Sequence, residues 1–176
     1  MTTFGLLASG FMLLVSHLGE MDPSITPRMP VLNSPLLSIH VSIIMVSYAL
    51  LSLTFVCAVA YFCTQRSTKT NIVQINSQLT TLSQIFLYPA ITTLGLGIFI
   101  GAIWANISWG NYWGWDPKET WALITLMIYA IPLHTASLQA LRQPRQYHLF
   151  MLVAFLSILM TYFGVNYILG GMHSYA

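Results

Sequence analysis

Five long apolar stretches alternate with short polar connections along this chain of 176 residues. A helix that crosses a bilayer needs about 20 mostly apolar residues, and the last four stretches reach that length. The first lies within the short segment 1–20; a span, a weak signal peptide and the remnant of a longer upstream region all fit it, and we favour a span. The stretches are residues 2–18, 36–63, 82–106, 119–140 and 147–169. The pattern predicts an all-α integral membrane bundle of about five spanning helices.

The polar connections also predict the orientation of this bundle. Two of them, residues 64–81 and 141–146, hold four of the six basic side chains. Short basic connections stay on the cytoplasmic side of a membrane. Two predicted spans separate them, so they share a side. The C-terminus and the polar segment before residue 119 then lie on the outer side.

Composition supports a membrane protein and excludes other classes. The chain is 56% hydrophobic and 6% charged, whereas soluble domains carry about 25% charged residues. No basic stripe suggests a nucleic-acid partner, and membrane lipid is the expected surrounding. Cys57 and Cys63 are interpreted as small buried hydrophobic residues. Gly95, Gly97 and Gly101 could allow two helices to approach closely.

The segment Trp109–Trp121 is the most unusual part of the sequence, and we call it the Trp-rich segment. It holds four tryptophans and a tyrosine between two apolar stretches. Tryptophans also form belts at membrane interfaces, but four within so short a segment favour a site for a large flat ligand. Asp116, followed by proline and by Glu119 three residues on, predicts a capped helix start. The candidate binding residues here are Trp109, Trp113, Trp115, Asp116 and Trp121.

Two histidines are predicted on the same membrane face as the Trp-rich segment. His40 lies about 7–8 Å below the start of its helix at 1.5 Å per residue, and His173 follows the last span. Two neutral imidazoles can supply both axial ligands of a haem iron, while tryptophan rings pack on the porphyrin. Lys118 or Arg28 could pair with a haem propionate.

The remaining histidines have different predicted depths. His134 lies about 25 Å along its helix, directly after the bend expected at Pro132. It is either a histidine that reaches the inner interface or a ligand in a second site at membrane depth. His17 and His148 are interpreted as interfacial residues.

Four ordered motifs resemble one family. WGNYWGWDPKETWALIT resembles the tryptophan-rich WWD signature of the haem-handling proteins of cytochrome c biogenesis, and is most similar to the CcsA (ResC) branch rather than to CcmC or CcmF. LLSIHVSIIMVSYALL is similar to the first external histidine segment of that family, IYAIPLHT to its transmembrane histidine segment and FGVNYILGGMHSYA to its C-terminal segment. They map onto His40, His134 and His173, and the resemblance covers residues 22–176.

The resemblance implies a function. CcsA works with a membrane partner, CcsB or ResB, to carry haem b to the outer face of the bacterial inner membrane or the thylakoid. There the haem is presented to the CxxCH motif of apocytochrome c as part of a cytochrome c synthase. In the family the external histidines, here His40 and His173, ligate the iron. The transmembrane histidine, here His134, contributes to an inner haem site whose companion comes from the partner. No catalytic side chain is implied.

Two other functions remain open from the residues alone. A b-type electron-transfer cytochrome would also use paired histidines, but facing each other inside the bundle, whereas His40 and His173 are predicted at its rim. A solute transporter or channel subunit could use histidines as a proton path, although no acidic residue lies clearly within a predicted span. The sequence therefore favours haem delivery.

Overall fold

The computed structural model describes residues 34–65, 71–134 and 137–169. Most of these residues are helical and none lies in a β-strand, which confirms the predicted all-α membrane bundle. Two 3-10 turns and a π-helical segment accompany the α-helices. The elements are α1 (Pro35–Thr64), α2 (Ile72–Trp109), α3 (Pro117–Ala130), a 3-10 turn (Ile131–His134), a second (Gln139–Arg142), α4 (Pro144–Leu159) and the π-helical segment Met160–Leu169.

Within the described residues, three helices are long and apolar enough to cross a membrane. They are α1, α2 and the continuous helix formed by α4 and the π-helical segment. Helix α2 begins at Ile72, well before the apolar stretch at 82, so much of the predicted basic connection is helical. A side-chain hydrogen bond joins the end of α1 to this extension of α2: the Thr64 hydroxyl donates to Oδ1 of Asn76 at 2.7 Å. The predicted segment 2–18 lies outside the described residues.

Helix α3 is shorter than the apolar stretch that predicted it. The α-helix ends at Ala130, and a 3-10 turn continues to His134. Pro132 explains the change, because it lacks a backbone N–H and its ring clashes with the preceding helical turn. The fourteen α-helical residues are about 21 Å long, and with the four-residue turn the segment reaches about 29 Å. This is close to the thickness of a hydrocarbon core, about 30 Å.

Contacts between the helices define two ends of the bundle. One end carries the Trp-rich segment, and we call it the Trp-rich end. There His40, near the start of α1, contacts Gly97 in the C-terminal third of α2, and the π-helical segment contacts the start of α3. At the other end, which we call the arginine end because Arg145 lies there, the start of α4 meets the start of α2: Nε2 of His148 lies 3.0 Å from the Thr80 hydroxyl. Helix α3 and the 3-10 turn that follows it, residues 117–134, therefore run from the Trp-rich end toward the arginine end.

The interior combines apolar packing with a few polar ties. Phe55 on α1 stacks on Phe155 of α4 with ring centroids 4.2 Å apart. The buried Ser47 hydroxyl donates to the Ala90 carbonyl at 2.8 Å and joins α1 to α2. Buried members of the core are Leu51, Ala58, Leu87, Leu94, Tyr129, Tyr147, Met151 and Ile158. The ties fix the register of helices whose apolar surfaces alone would allow sliding.

His148 departs from its sequence interpretation. It was expected at an interface, but its side chain is 0% exposed and lies inside the bundle. The ring stacks on Tyr61 with centroids 4.3 Å apart. The Thr80 hydroxyl donates its single proton to the Asn76 carbonyl at 2.9 Å, so it accepts a hydrogen bond from Nε2 of His148. Hydropathy misses this arrangement because it depends on neighbours from two other helices.

We expect Thr80→Val to destabilise the bundle by about 1 kcal/mol, since it leaves the buried Nε2–H of His148 without an acceptor. Thr92→Val is the matched control. Thr92 is on the same helix, and its hydroxyl donates to the Tyr88 carbonyl one turn earlier, so its removal breaks no bond to another helix. Unfolding of both variants in detergent by a chemical denaturant measures the effect. Equal midpoints for the two variants would contradict the role of the His148 contact.

Candidate functional site

His40 is held at the Trp-rich end by the backbone of α2. Its side chain is half-buried, and Nδ1 lies 2.7 Å from the carbonyl oxygen of Gly97. Because a carbonyl only accepts, Nδ1 carries the proton, and the lone pair of the neutral ring is on Nε2. A hydrogen bond from one ring nitrogen to a backbone carbonyl is the usual means of orienting a histidine that binds a metal through the other nitrogen.

Glycines on α2 make room for this ring. A Cβ at Gly101 would lie 2.6 Å from Cε1 and 2.9 Å from Nδ1 of His40. A Cβ at Gly97 would meet the Ile44 side chain at 2.5 Å. At Gly95, by contrast, a Cβ would meet nothing within 4 Å. The predicted close approach of two helices is therefore found at Gly97 and Gly101 and not at Gly95.

A pair of tryptophans continues the same region toward the end of α2. Trp104 is 1% exposed, and its ring meets Trp109 edge-to-face at a centroid distance of 4.8 Å. The sequence reasoning missed Trp104 because it lies inside an apolar stretch. A helical spacing of four and then three residues from Gly97 through Gly101 to Trp104 places all three on one face of α2. That spacing, combined with the glycines, was the signal available in the sequence.

The connection between α2 and α3 exposes a second tryptophan pair. Gly110, with φ of 78°, ends α2. Trp113 and Trp115 then meet edge-to-face with centroids 5.9 Å apart. Trp115 has φ of 54° and is 75% exposed. A bulky side chain in this left-handed region costs about 1–3 kcal/mol. Little of its ring is covered by the chain, so packing within the fold does not account for a tryptophan here.

A capping box fixes the end of this connection, as the sequence predicts. Oδ2 of Asp116 accepts from the Lys118 backbone N–H at 3.1 Å. Oε2 of Glu119 accepts from the backbone N–H groups of Asp116 at 3.3 Å and of Gly114 at 2.9 Å. Asp116 is 5% exposed. The Glu119 carboxylate thus holds the backbone on either side of Trp115, while the Asp116 carboxylate caps the first turn of α3.

Trp121 connects the same region to the last helix. Its backbone carbonyl lies 3.3 Å from the Thr161 hydroxyl oxygen. The Thr161 proton goes to the nearer Ser157 carbonyl at 2.7 Å, so Thr161 accepts from the Thr125 hydroxyl of α3 at 3.1 Å. The Trp121 side chain is half-buried. The start of α3 is therefore bonded to the π-helical segment that leads toward the C-terminus.

Comparison with known proteins identifies the family. A family model described as "Cytochrome C assembly protein" matches residues 1–173. The chain belongs to this family. It is 43% identical to the protein NrfI of Wolinella succinogenes over 176 residues, or 97% of this chain. It is also 37% identical to the cytochrome c biogenesis protein CcsA of Chlamydomonas reinhardtii over 85% of the chain. CcsA of Synechococcus sp. (strain CC9605) is 38% identical over 86%.

These relatives are longer than the chain. The match covers 19% of NrfI, 43% of the Chlamydomonas CcsA and 59% of the Synechococcus CcsA. The chain thus corresponds to one part of these members of the cytochrome C assembly family.

One predicted histidine of this family member, His134, does not join the residues at the Trp-rich end. His134 ends the 3-10 turn after α3, toward the arginine end, and its exposed ring bonds the Ala130 carbonyl through Nδ1 at 3.1 Å. His173 lies outside the described residues. The structure therefore brings His40, Trp104 and Trp109 to the Trp-rich end and leaves the pairing of His40 with His173 as a prediction.

We expect Asp116→Ala to loosen the start of α3 by about 1 kcal/mol, the usual effect of removing a side-chain cap. Asp116→Asn is the matched control, because asparagine keeps an acceptor oxygen at the cap. Hydrogen exchange of the Lys118 and Glu119 amides should accelerate in the alanine variant alone. Equally fast exchange in both variants would show that the carboxylate charge, and not the hydrogen bond, fixes this segment.

Proposed function

We propose that this chain takes part in cytochrome c biogenesis: it binds haem b at the Trp-rich end and presents it for thioether attachment to apocytochrome c. Membership of the cytochrome C assembly family supports this, as do relatives whose names state cytochrome c biogenesis. The chain would be one subunit of a membrane cytochrome c synthase that also contains a CcsB-like or ResB-like partner. The bacterial inner membrane is the proposed location, with a thylakoid membrane as the alternative.

The observation that carries the proposal is the setting of His40. Its Nδ1–H is used by the Gly97 carbonyl, and its ring fits against α2 only because Gly101 has no side chain. This leaves Nε2 as the basic nitrogen of a ring with a fixed orientation. A surface histidine without a ligand needs neither a fixed tautomer nor a glycine to accommodate it. An axial ligand of iron benefits from both.

The tryptophans supply flat apolar surface for the macrocycle. Trp115 is the most informative, because it is largely exposed and has a backbone conformation that glycine adopts more easily. Binding of a porphyrin would bury its ring, and the favourable free energy of that burial would offset the cost of the left-handed backbone. Trp113 contacts Trp115 directly, so the two indoles form one surface. Lys118, next to the cap, is suited to pair with a haem propionate.

The remaining histidines complete the proposal. His173 is the proposed second axial ligand, opposite His40. His134, remote from the Trp-rich end, is the proposed ligand of a separate inner site whose second ligand belongs to the partner. In this arrangement haem moves from the arginine end, on the cytoplasmic side, to the Trp-rich end, on the outer side.

The chemistry at the outer site requires positioning more than acid–base catalysis. Addition of a cysteine S–H across a haem vinyl group forms a thioether bond and releases no other product. Holding the porphyrin still while a CxxCH peptide approaches converts a bimolecular encounter into an oriented one, and such orientation is worth up to about 7–11 kcal/mol. His40 would fix the iron, and the tryptophans would fix the plane of the ring.

The full chain, produced with its partner and an apocytochrome c reporter, tests the proposal. Covalently haem-stained reporter and a bis-imidazole absorption spectrum of the purified complex are expected. A reporter whose two cysteines are replaced by serine should leave haem on the complex and form no thioether. Stable haem with reversible redox cycling and no reporter maturation would favour a b-type cytochrome. Ion transport without bound haem would favour a transporter.

A further inference from the structure

A cleft at the arginine end is not part of the haem site. It lies between the end of α1 and the start of α4 and has a volume of about 650 Å³. Its walls are mostly apolar or aromatic, and Gln65 and Arg145 add an amide and a charged group. The lining residues are Val59, Tyr61, Phe62, Cys63, Gln65, Arg145 and Leu152. The cleft is large enough for part of a lipid molecule but lies far from the tryptophans.

Polarity changes along the cleft in the direction of the helix axes. On α1, Val59 lies six residues before Gln65, which is about 9 Å at 1.5 Å per residue. On α4, Leu152 lies seven residues after Arg145, about 10 Å deeper into the bundle. The polar residues are thus at the helix ends and the apolar ones are deeper. The same order, from headgroup to acyl chain, occurs along a phospholipid.

The charge of the cleft selects among lipids. Arg145 is exposed and lines its outer part. Among residues 34–65, 71–134 and 137–169 the acidic side chains are Asp116 and Glu119, and both belong to the cap at the Trp-rich end. Arg145 therefore has no carboxylate of the described chain near it. A guanidinium at the membrane interface, beside an apolar groove, pairs well with a lipid phosphate.

We propose that this cleft binds an anionic phospholipid of the surrounding membrane, with its phosphate on Arg145 and an acyl chain along Val59, Phe62 and Leu152. The lipid would fill the space between α1 and α4 and hold the two helices at a fixed separation. Tyr61, which forms one wall, also stacks on the buried His148. Occupation of the cleft is thereby linked to the packing of the arginine end.

Native mass spectrometry of the full chain, purified from an equal mixture of phosphatidylglycerol and phosphatidylcholine, tests the selectivity. The wild type should retain phosphatidylglycerol about fivefold over phosphatidylcholine, equivalent to about 1 kcal/mol for one basic side chain near the surface. Arg145→Gln should remove the preference. Arg142→Gln is the matched control, because Arg142 is exposed near the same end but does not line the cleft.

The reactivity of Cys63 reports whether a lipid occupies the cleft. It is exposed and lines the cleft, whereas Cys57 is buried. In nanodiscs, phosphatidylglycerol should slow maleimide modification of Cys63 relative to phosphatidylcholine in the wild type and in Arg142→Gln, but not in Arg145→Gln. Leu152→Trp, which fills the cleft, should lower retention of both lipids while the helical circular dichroism stays unchanged.

Several results would overturn the proposal. Equal retention of the two lipids by the wild type would remove the role of charge. Equal losses in Arg142→Gln and Arg145→Gln would assign the preference to general surface charge. Cys63 that is unreactive in both lipids would show that another polypeptide segment covers the cleft.

Discussion

Purified His40→Ala protein should carry about one hundredth or less of the haem bound at the Trp-rich end of the wild type. Groups that hydrogen-bond and orient a metal ligand are worth about 10–100-fold in affinity, and loss of the ligand itself should cost at least the upper part of that range. The bis-imidazole absorption spectrum should disappear, and maturation of the apocytochrome reporter should fall with it. Absorption of the complex in its reduced and oxidised forms measures the effect.

Two further variants separate ligation from folding. His40→Gly leaves a space beside Gly101, so added imidazole should restore the spectrum by binding iron in place of the missing ring. His134→Ala should keep the spectrum of the outer site, since His134 lies toward the other end of the bundle. A normal bis-imidazole spectrum in His40→Ala without imidazole would reject His40 as an axial ligand.

Gly101→Ala should reproduce much of this loss without touching a ligand. The new Cβ would lie 2.6 Å from Cε1 and 2.9 Å from Nδ1 of His40. The ring would have to turn away and give up its bond to the Gly97 carbonyl. We expect a loss of haem affinity of about 10–100-fold, the range for removing an orienting partner. Haem titration of the purified variant gives the affinity.

Gly95→Ala is the control for this substitution. It makes the same chemical change six residues earlier on α2, where a Cβ meets nothing within 4 Å. Alanine favours a helix over glycine by about 1 kcal/mol, so this variant should unfold no more easily than the wild type and bind haem equally well. If Gly101→Ala also binds haem normally, the glycine serves helix packing and does not position His40.

Local signals predicted the parts of the site that depend on neighbours in sequence. The capping box at Asp116 and Glu119 follows from an acceptor, a proline and a glutamate at fixed spacing, and the structure contains it. At Pro132 the sequence predicts a bend, and in the structure the α-helix ends at Ala130 because proline lacks a backbone N–H. Hydropathy predicted the apolar helices because the ability to cross a bilayer depends only on the composition and length of a segment.

Other features depend on contacts between helices and could not be predicted from the sequence alone. Hydropathy places the start of the third apolar stretch at residue 82, after a polar segment. In the structure α2 starts ten residues earlier, at Ile72, and Asn76 in this extension bonds Thr64 of α1. The burial of His148 needs Tyr61 and Thr80 from two other helices. The left-handed backbone of Trp115 carries no local signal, because tryptophan rarely adopts it. These are positions where the fold imposes a conformation on the residue.

The cap of α3 also determines the electric field at the Trp-rich end. The positive end of a helix macrodipole is equivalent to about half an elementary charge, and here Asp116 and Glu119 are both bonded to backbone N–H groups at that end. The helix dipole thus offsets part of their negative charge, and the neighbouring Lys118 offsets more. A dianionic ligand approaching this surface is therefore repelled less than the two acidic residues in the sequence would suggest.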